Sequence, residues 1–207
     1  MKPNFKFFSI LILLIVISTE INFAQEKGQI SIMGGYQMLG GFDVANGQAD
    51  INDAAAYSGT FAYFLRPDVA VELQYNYQPT QLSFDPFGAE PERVLFDLDV
   101  HYILTGASYH RKFSSTVTGF GGLSLGAAIF SPSKDYESTT KFAYSATLGL
   151  KVLLSKNVGL RLQAQGLFPI QWTSSGFYIG TGGVDFGIGA GTTVAQITTS
   201  AGIFFAF

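Results

Sequence analysis

Five separate stretches of this chain alternate apolar and polar side chains with a period of two, a spacing that an extended strand sorts onto two faces and a helix would smear around its surface. In VAVELQYNY, Val69, Val71, Leu73, Tyr75 and Tyr77 share one face, and Ala70, Glu72, Gln74 and Asn76 the other. KFAYSATLGLKVLL sets Phe142, Tyr144, Ala146, Leu148, Leu150, Val152 and Leu154 against Lys141, Ser145, Thr147 and Lys151. VGLRLQAQG sets Val158, Leu160, Leu162 and Ala164 against Gly159, Arg161, Gln163 and Gln165. The segment ending in GIFFAF puts Ile197, Ala201, Ile203, Phe205 and Phe207 opposite Thr198, Ser200, Gly202 and Phe204. In VLFDLDVHYIL the apolar set is Phe96, Leu98, Val100, Tyr102 and Leu104, facing away from Asp97, Asp99 and His101. The chain is therefore read as all-β.

The question is what covers so many oily faces. In a soluble β-sandwich the apolar faces meet inside and the outward positions carry charge. Here only 13% of residues are charged, 15% are aromatic, and the polar positions are mostly Gly, Ser, Thr, Ala and Gln. Small polar side chains suit the interior of a narrow barrel, and bulky apolar ones suit a lipid-facing exterior. A lipid-exposed edge would leave backbone N–H and C=O groups unpaired in hydrocarbon, so the sheet has to close. Eight strands are predicted, at about 28 to 38, 54 to 65, 68 to 79, 92 to 111, 116 to 131, 140 to 154, 157 to 172 and 193 to 207. Their connections alternate tight (Leu65 to Asp68, Lys112 to Ser115, Ser155 to Asn157) and long, and the fold expected is an eight-stranded antiparallel up-and-down transmembrane β-barrel.

The first residues, MKPNFK followed by FFSILILLIVIS, have the basic start and short apolar run of a secretory signal, with cleavage expected after Ala24. Residues 1–24 are thus expected to be a signal peptide and 25–207 the barrel domain. There is no cysteine, hence no disulfide framework and no acceptor for a lipid anchor. A net charge of −3 argues against a nucleic-acid partner. No motif calls for a cofactor.

The hairpins FLRPDVAVELQYNY and LLSKNVGLRLQAQG, the leader ending in Ala24-Gln25 and the terminal GIFFAF together resemble the small outer-membrane β-barrel proteins of the OmpA/OmpX/OmpW type, over essentially residues 28–207. That resemblance implies a gram-negative outer-membrane location with both termini in the periplasm. It also implies a monomer surrounded by outer-membrane lipid and lipopolysaccharide, and insertion by the barrel-assembly machinery reading the closing aromatic residues Phe205 and Phe207.

Within that frame Glu72, Lys151 and Arg161 each lie four residues from a tight turn, on the polar face and at similar height. Unpaired charges in so narrow a space are heavily penalised, so a Glu72 to Arg161 contact supported by Lys151 is expected, as interior filling or as a gated plug. Asp97, Asp99 and His101 are expected to continue this lumen charge network as an inward ladder, a divalent-metal site being the sharper alternative. Tyr75, Tyr77 and Trp172 are expected in the aromatic girdles. Ser108 and His110 in ASYHR invite a hydrolase reading, but they flank a tight turn, the wrong end for chemistry on outer-leaflet lipid. The Gly-rich GTGGVDFGIGAGT precedes a strand, not the helix a phosphate loop requires. The function expected is non-enzymatic, in envelope integrity or surface contact through the outer loops. A narrow, porin-like channel for small or apolar solutes is the second reading, and a lipid A-modifying hydrolase the third.

Overall fold

A computed structural model describes residues 27–39, 42–44, 47–86, 91, 93–133, 137–170, 178–180, 183–185 and 195–207. The expected signal segment 1–24 and Trp172 lie outside the described residues. The strands are β1 (Gly28–Leu39), β2 (Phe42–Val44), β3 (Gly47–Ile51), β4 (Ala54–Arg66), β5 (Val69–Pro86), β6 (Arg93–Lys112), β7 (Val117–Pro132), β8 (Thr139–Leu153), β9 (Val158–Ile170), β10 (Tyr178–Gly180), β11 (Gly183–Asp185) and β12 (Gln196–Ala206).

Eight of them form a ring of antiparallel pairs, β1–β4–β5–β6–β7–β8–β9–β12, which β12 closes against β1 with Ile30 opposite Phe205 and Tyr36 opposite Thr199. The seam is tied at its end by reciprocal 2.8 Å bonds, Gly28 N–H to the Phe207 carbonyl and Phe207 N–H to that of Gly28. A closed ring leaves no edge to satisfy, which is the condition lipid imposes. All eight strands fall close to where the alternation puts them, with β5 longer than expected. It runs to Pro86 because β3, inside the expected long connection, pairs with its far half (Asp50 opposite Ser83) and β2 pairs with β3. The Gly-rich segment before β12 contributes the short β10–β11 hairpin.

The outer wall carries Ile32, Val71, Leu73, Leu123, Leu148, Leu162 and Ile203, all exposed, while Gln29, Glu72, Gln74, Thr147, Arg161, Gln163 and Thr198 are buried in the lumen. On these strands apolar is out and polar is in. Strand β6 breaks the rule. Its register sets Ile103 opposite Tyr75 and Tyr77 opposite His101. Asp97, Asp99 and His101 therefore share the outer wall with Ile103, and the inner wall receives Phe96, Leu98, Val100, Tyr102 and Leu104, all buried. The expectation of an inward Asp97–Asp99–His101 ladder is corrected: these side chains face outward.

The reason is length. Strand β6 has 20 residues, about twice the 9 to 11 that cross a bilayer, so half of it has to stand outside the hydrocarbon. There the surroundings are aqueous and the polarity rule reverses. The inner positions build an ordinary apolar core of Ile51, Leu82, Phe96, Leu98, Val100, Tyr102, Leu104, Ala128, Phe130, Ala143 and Leu167. Outward aromatics mark the boundaries: Tyr36, Tyr57, Tyr75 and Tyr144 toward the long-connection end, and Tyr63, Tyr109, Phe113, Phe205 and Phe207 at the tight-turn end. From His101 to Tyr109 along β6 is about 26 Å of strand, or about 20 Å along the axis once tilted, somewhat under the ~25 Å of a lipid-facing band.

Candidate functional site

The lumen at the tight-turn end is the most chemically loaded part of the molecule. Strand β5 directs Glu72 inward and β9 directs Arg161 inward, and Arg161 Nη2 approaches Glu72 Oε2 at 3.4 Å, with the two side chains 0% and 2% exposed. Glu72 is satisfied further by Gln74 Nε2 (2.9 Å) and Ser108 Oγ (2.8 Å), and Arg161 Nε donates to Gln163 Oε1 at 2.9 Å. The sequence-expected contact is present. Lys151 stands at the same level, opposite Arg161 in register, but donates to Gln29 Oε1 at 2.8 Å.

Sequence reasoning missed the floor beneath these charges. The Lys151 ammonium sits 5.5 Å from the ring centre of Phe64, 5.1 Å from Phe120 and 5.9 Å from Phe204, and the Arg161 guanidinium lies 4.4 Å over Phe120. A desolvated cation over an aromatic face recovers part of what it loses on leaving water. His110 completes the layer between Phe64 (4.9 Å) and Phe120 (5.7 Å). Two glycines admit the rings: Phe120 lies against Gly149, where a Cβ would come within 2.4 Å of it, and Phe204 against Gly159, where the gap would be 2.5 Å. Aromatic cover of a strand glycine is a recognised way to hold a curved barrel wall. The available signal was these glycines on inward positions; register was needed to connect them to rings on other strands.

Ser108 and His110 also enter this cluster. Ser108 Oγ bonds Glu72 Oε1 and His110 Nε2, each at 2.8 Å. In a nucleophilic triad the acid orients the histidine. Here the carboxylate holds the serine, and both side chains are buried in the lumen. Above the cluster comes a band of amides and hydroxyls. Tyr102 Oη and Gln37 Nε2 both donate to Gln196 Oε1, and Gln165 Nε2 donates to Gln74 Oε1 at 2.7 Å. The apolar core of the outer half closes the lumen over this band.

The outward residues of β6 are held one by one. Tyr75 Oη meets His101 Nδ1 at 2.9 Å, Tyr77 Oη donates to Asp99 Oδ1 at 3.0 Å, and Gln81 Nε2 donates to Asp97 Oδ1 at 2.9 Å. Among the described residues no group of three potential metal ligands converges. Toward the long-connection end Tyr75 is exposed and Tyr77 partly exposed, and Phe205 and Phe207 face outward at the tight-turn end.

No family model matches the chain, and no curated protein matches it in sequence. Solved structures do. Neisserial surface protein A superposes with a TM-score of 0.58 at 13% identity, covering 90% of this chain and all of that one. The outer membrane protein OprG from Pseudomonas aeruginosa gives 0.57 at 12% identity over 89% of this chain and 98% of its own. The outer membrane protein AlkL, determined in lipid bilayers, gives 0.54 at 17% identity over 92% and 94%. The closed ring, the apolar band between two aromatic belts and these likenesses agree: the chain is a transmembrane eight-stranded β-barrel with the fold of the small gram-negative outer-membrane proteins.

Proposed function

We propose that this protein is a sealed, non-enzymatic barrel of the outer membrane, with its tight turns and the Gly28–Phe207 seam in the periplasm. It acts in envelope integrity or in surface contact through the end that rises beyond the lipid. The observation that carries this reading is the double closure of the lumen. The periplasmic third is filled by Glu72, Arg161, Lys151 and the rings of Phe64, Phe120 and Phe204; the outer half is filled by the apolar core around Val100 and Leu104. An eight-stranded barrel has room for side chains and little else. In the same reading Phe205 and Phe207 are the assembly signal, as aromatic residues exposed at the tight-turn end of the closing seam.

Planar-bilayer recording tests this directly. The full mature chain is expected to add no discrete current steps. Reproducible open levels, lost when Val100 is changed to Phe, would establish the channel reading instead.

A further inference from the structure

Across β4, β5 and β6 the outer belt differs from the rest of the wall. Tyr57, Tyr77 and His101 stand directly opposite one another in register. Their rings run nearly parallel, at 6.5 Å and 26° and then 5.0 Å and 20°, with Tyr75 beside His101 at 6.1 Å and 26°. An interfacial tyrosine ordinarily turns its hydroxyl to water or headgroups. In this sector the phenols are anchored by protein, Tyr77 on Asp99 and Tyr75 on His101. Tyr144, on the far side of the belt, stacks on Phe168. The rings of this sector are therefore set before any ligand arrives, which removes the ordering cost of binding.

The chemistry around them is specific. Asp99 and Asp97 lie on the same outward face, each exposed and each using one oxygen in a bond to Tyr77 or Gln81. Among the described residues the second oxygen of each carboxylate has no hydrogen-bond donor, and can accept from a ligand. Arg93, four residues from Asp97 on β6, lies over the Phe84 ring at 5.6 Å, and anchored aromatic rings beside carboxylates suit a sugar: C–H faces against rings, hydroxyl or amino groups to Asp. The patch is continuous with the lipid face directly below, where Leu73, Ile103 and Leu125 are exposed, so an acyl-anchored headgroup reaches it without leaving the membrane.

We propose that the Tyr57–Tyr77–His101 row with Asp99 and Asp97 is a binding site for the sugar headgroup of an outer-leaflet glycolipid. The inference rests on the outer-membrane orientation given above. The test uses the folded mature chain in phospholipid nanodiscs doped with rough lipopolysaccharide, counting glycolipid retained per barrel by native mass spectrometry with and without EDTA. Tyr77→Leu and Asp99→Asn are each expected to reduce retention about fivefold, Tyr144→Leu to leave it unchanged, and EDTA to leave wild-type retention intact. An equal loss in Tyr144→Leu would reduce the patch to general belt behaviour and overturn the proposal. So would loss on EDTA treatment, because the carboxylates would then be holding cation-bridged phosphate. A reversed orientation is read separately, by protease access to the tight turns of cells expressing the chain: cleavage from outside would sink the orientation, whereas failed retention with protected turns sinks the site alone.

Discussion

Neutralising one member of the Glu72–Arg161 pair at a time should expose an asymmetry that the geometry dictates. Both side chains are fully enclosed, so breaking the pair from one side leaves a buried charge, a loss of about 3 to 5 kcal/mol when nothing else compensates. What remains differs between the two cases. In Arg161→Met the Glu72 carboxylate keeps its bonds from Ser108 and Gln74 and keeps Lys151 nearby, so the loss should fall to about 2 kcal/mol. In Glu72→Gln two cations, Arg161 and Lys151, share the floor without the Glu72 anion, on neutral partners such as Gln29, Gln163 and the Phe64, Phe120 and Phe204 rings. That variant should lose about 4 kcal/mol.

The double variant removes the orphaned partner in each case and should lie about 1 to 3 kcal/mol above the sum of the single losses in stability. The assay is urea unfolding in lipid vesicles, reading the folded fraction from the heat-modifiable band on unboiled gels. Losses additive within about 0.5 kcal/mol, or a larger loss for Arg161→Met than for Glu72→Gln, would refute the claim that the pair is coupled and that Lys151 biases it.

Three further outcomes are expected in the same assay. Leu162→Arg introduces charge on the lipid face, where Leu162 is 47% exposed, and should cost about 2 to 4 kcal/mol; the inward Gln163→Ser should be mild, and equal effects would contradict the face assignment. On β6 the neighbours Val100 and Asp99 should behave oppositely to a polar-inside rule. Val100→Asp should cost more than about 3 kcal/mol because it buries a charge in the apolar core, whereas Asp99→Val should change stability by less than about 1 kcal/mol. Gly149→Val should lose about 2 kcal/mol or more by pushing Phe120 off the wall, and Phe120→Leu in that background should restore part of it; no restoration would mean the clash is with the β9 backbone alone.

The number of barrel strands, their ends apart from the far end of β5, and the faces of β5, β8, β9 and β12 were legible because each of these strands keeps apolar out and polar in where it crosses lipid. The faces of β6 were not. Alternation says that Val100 and Asp99 lie on opposite faces and is silent on which face is inward; that comes from the register with β5, which puts Ile103 beside Tyr75. Continuing the same parity down β6 to Gly106, Ser108 and His110 would have shown small and polar residues replacing Leu104 and Tyr102 on one face, the point at which the wall enters the membrane. Glu72 and Arg161 were found because equal distances from tight turns imply equal heights. Phe64, Phe120 and Phe204 were not, since each sits at a polar-face position on a different strand and reads as an isolated exception until the three are brought together.

The two closures of the lumen rest on unlike forces, and this bears on gating. Separating Glu72 from Arg161 would open at most the periplasmic third, where Ser108, Gln29, Gln74 and Gln163 stand ready to take up the freed groups. The outer half also holds Gln78 and Thr80, opposite Val100 and Leu98, but they stand among apolar side chains. Its Phe96, Leu98, Val100 and Leu104 side chains are held by burial, at about 1.5 to 3 kcal/mol each relative to exposure, and hydrating them for an ion path forfeits that together with their packing. A charge switch in the floor therefore changes which polar groups pair and leaves the apolar tier shut. Conduction through this barrel would require the outer tier to unpack, an event much closer to unfolding than to gating.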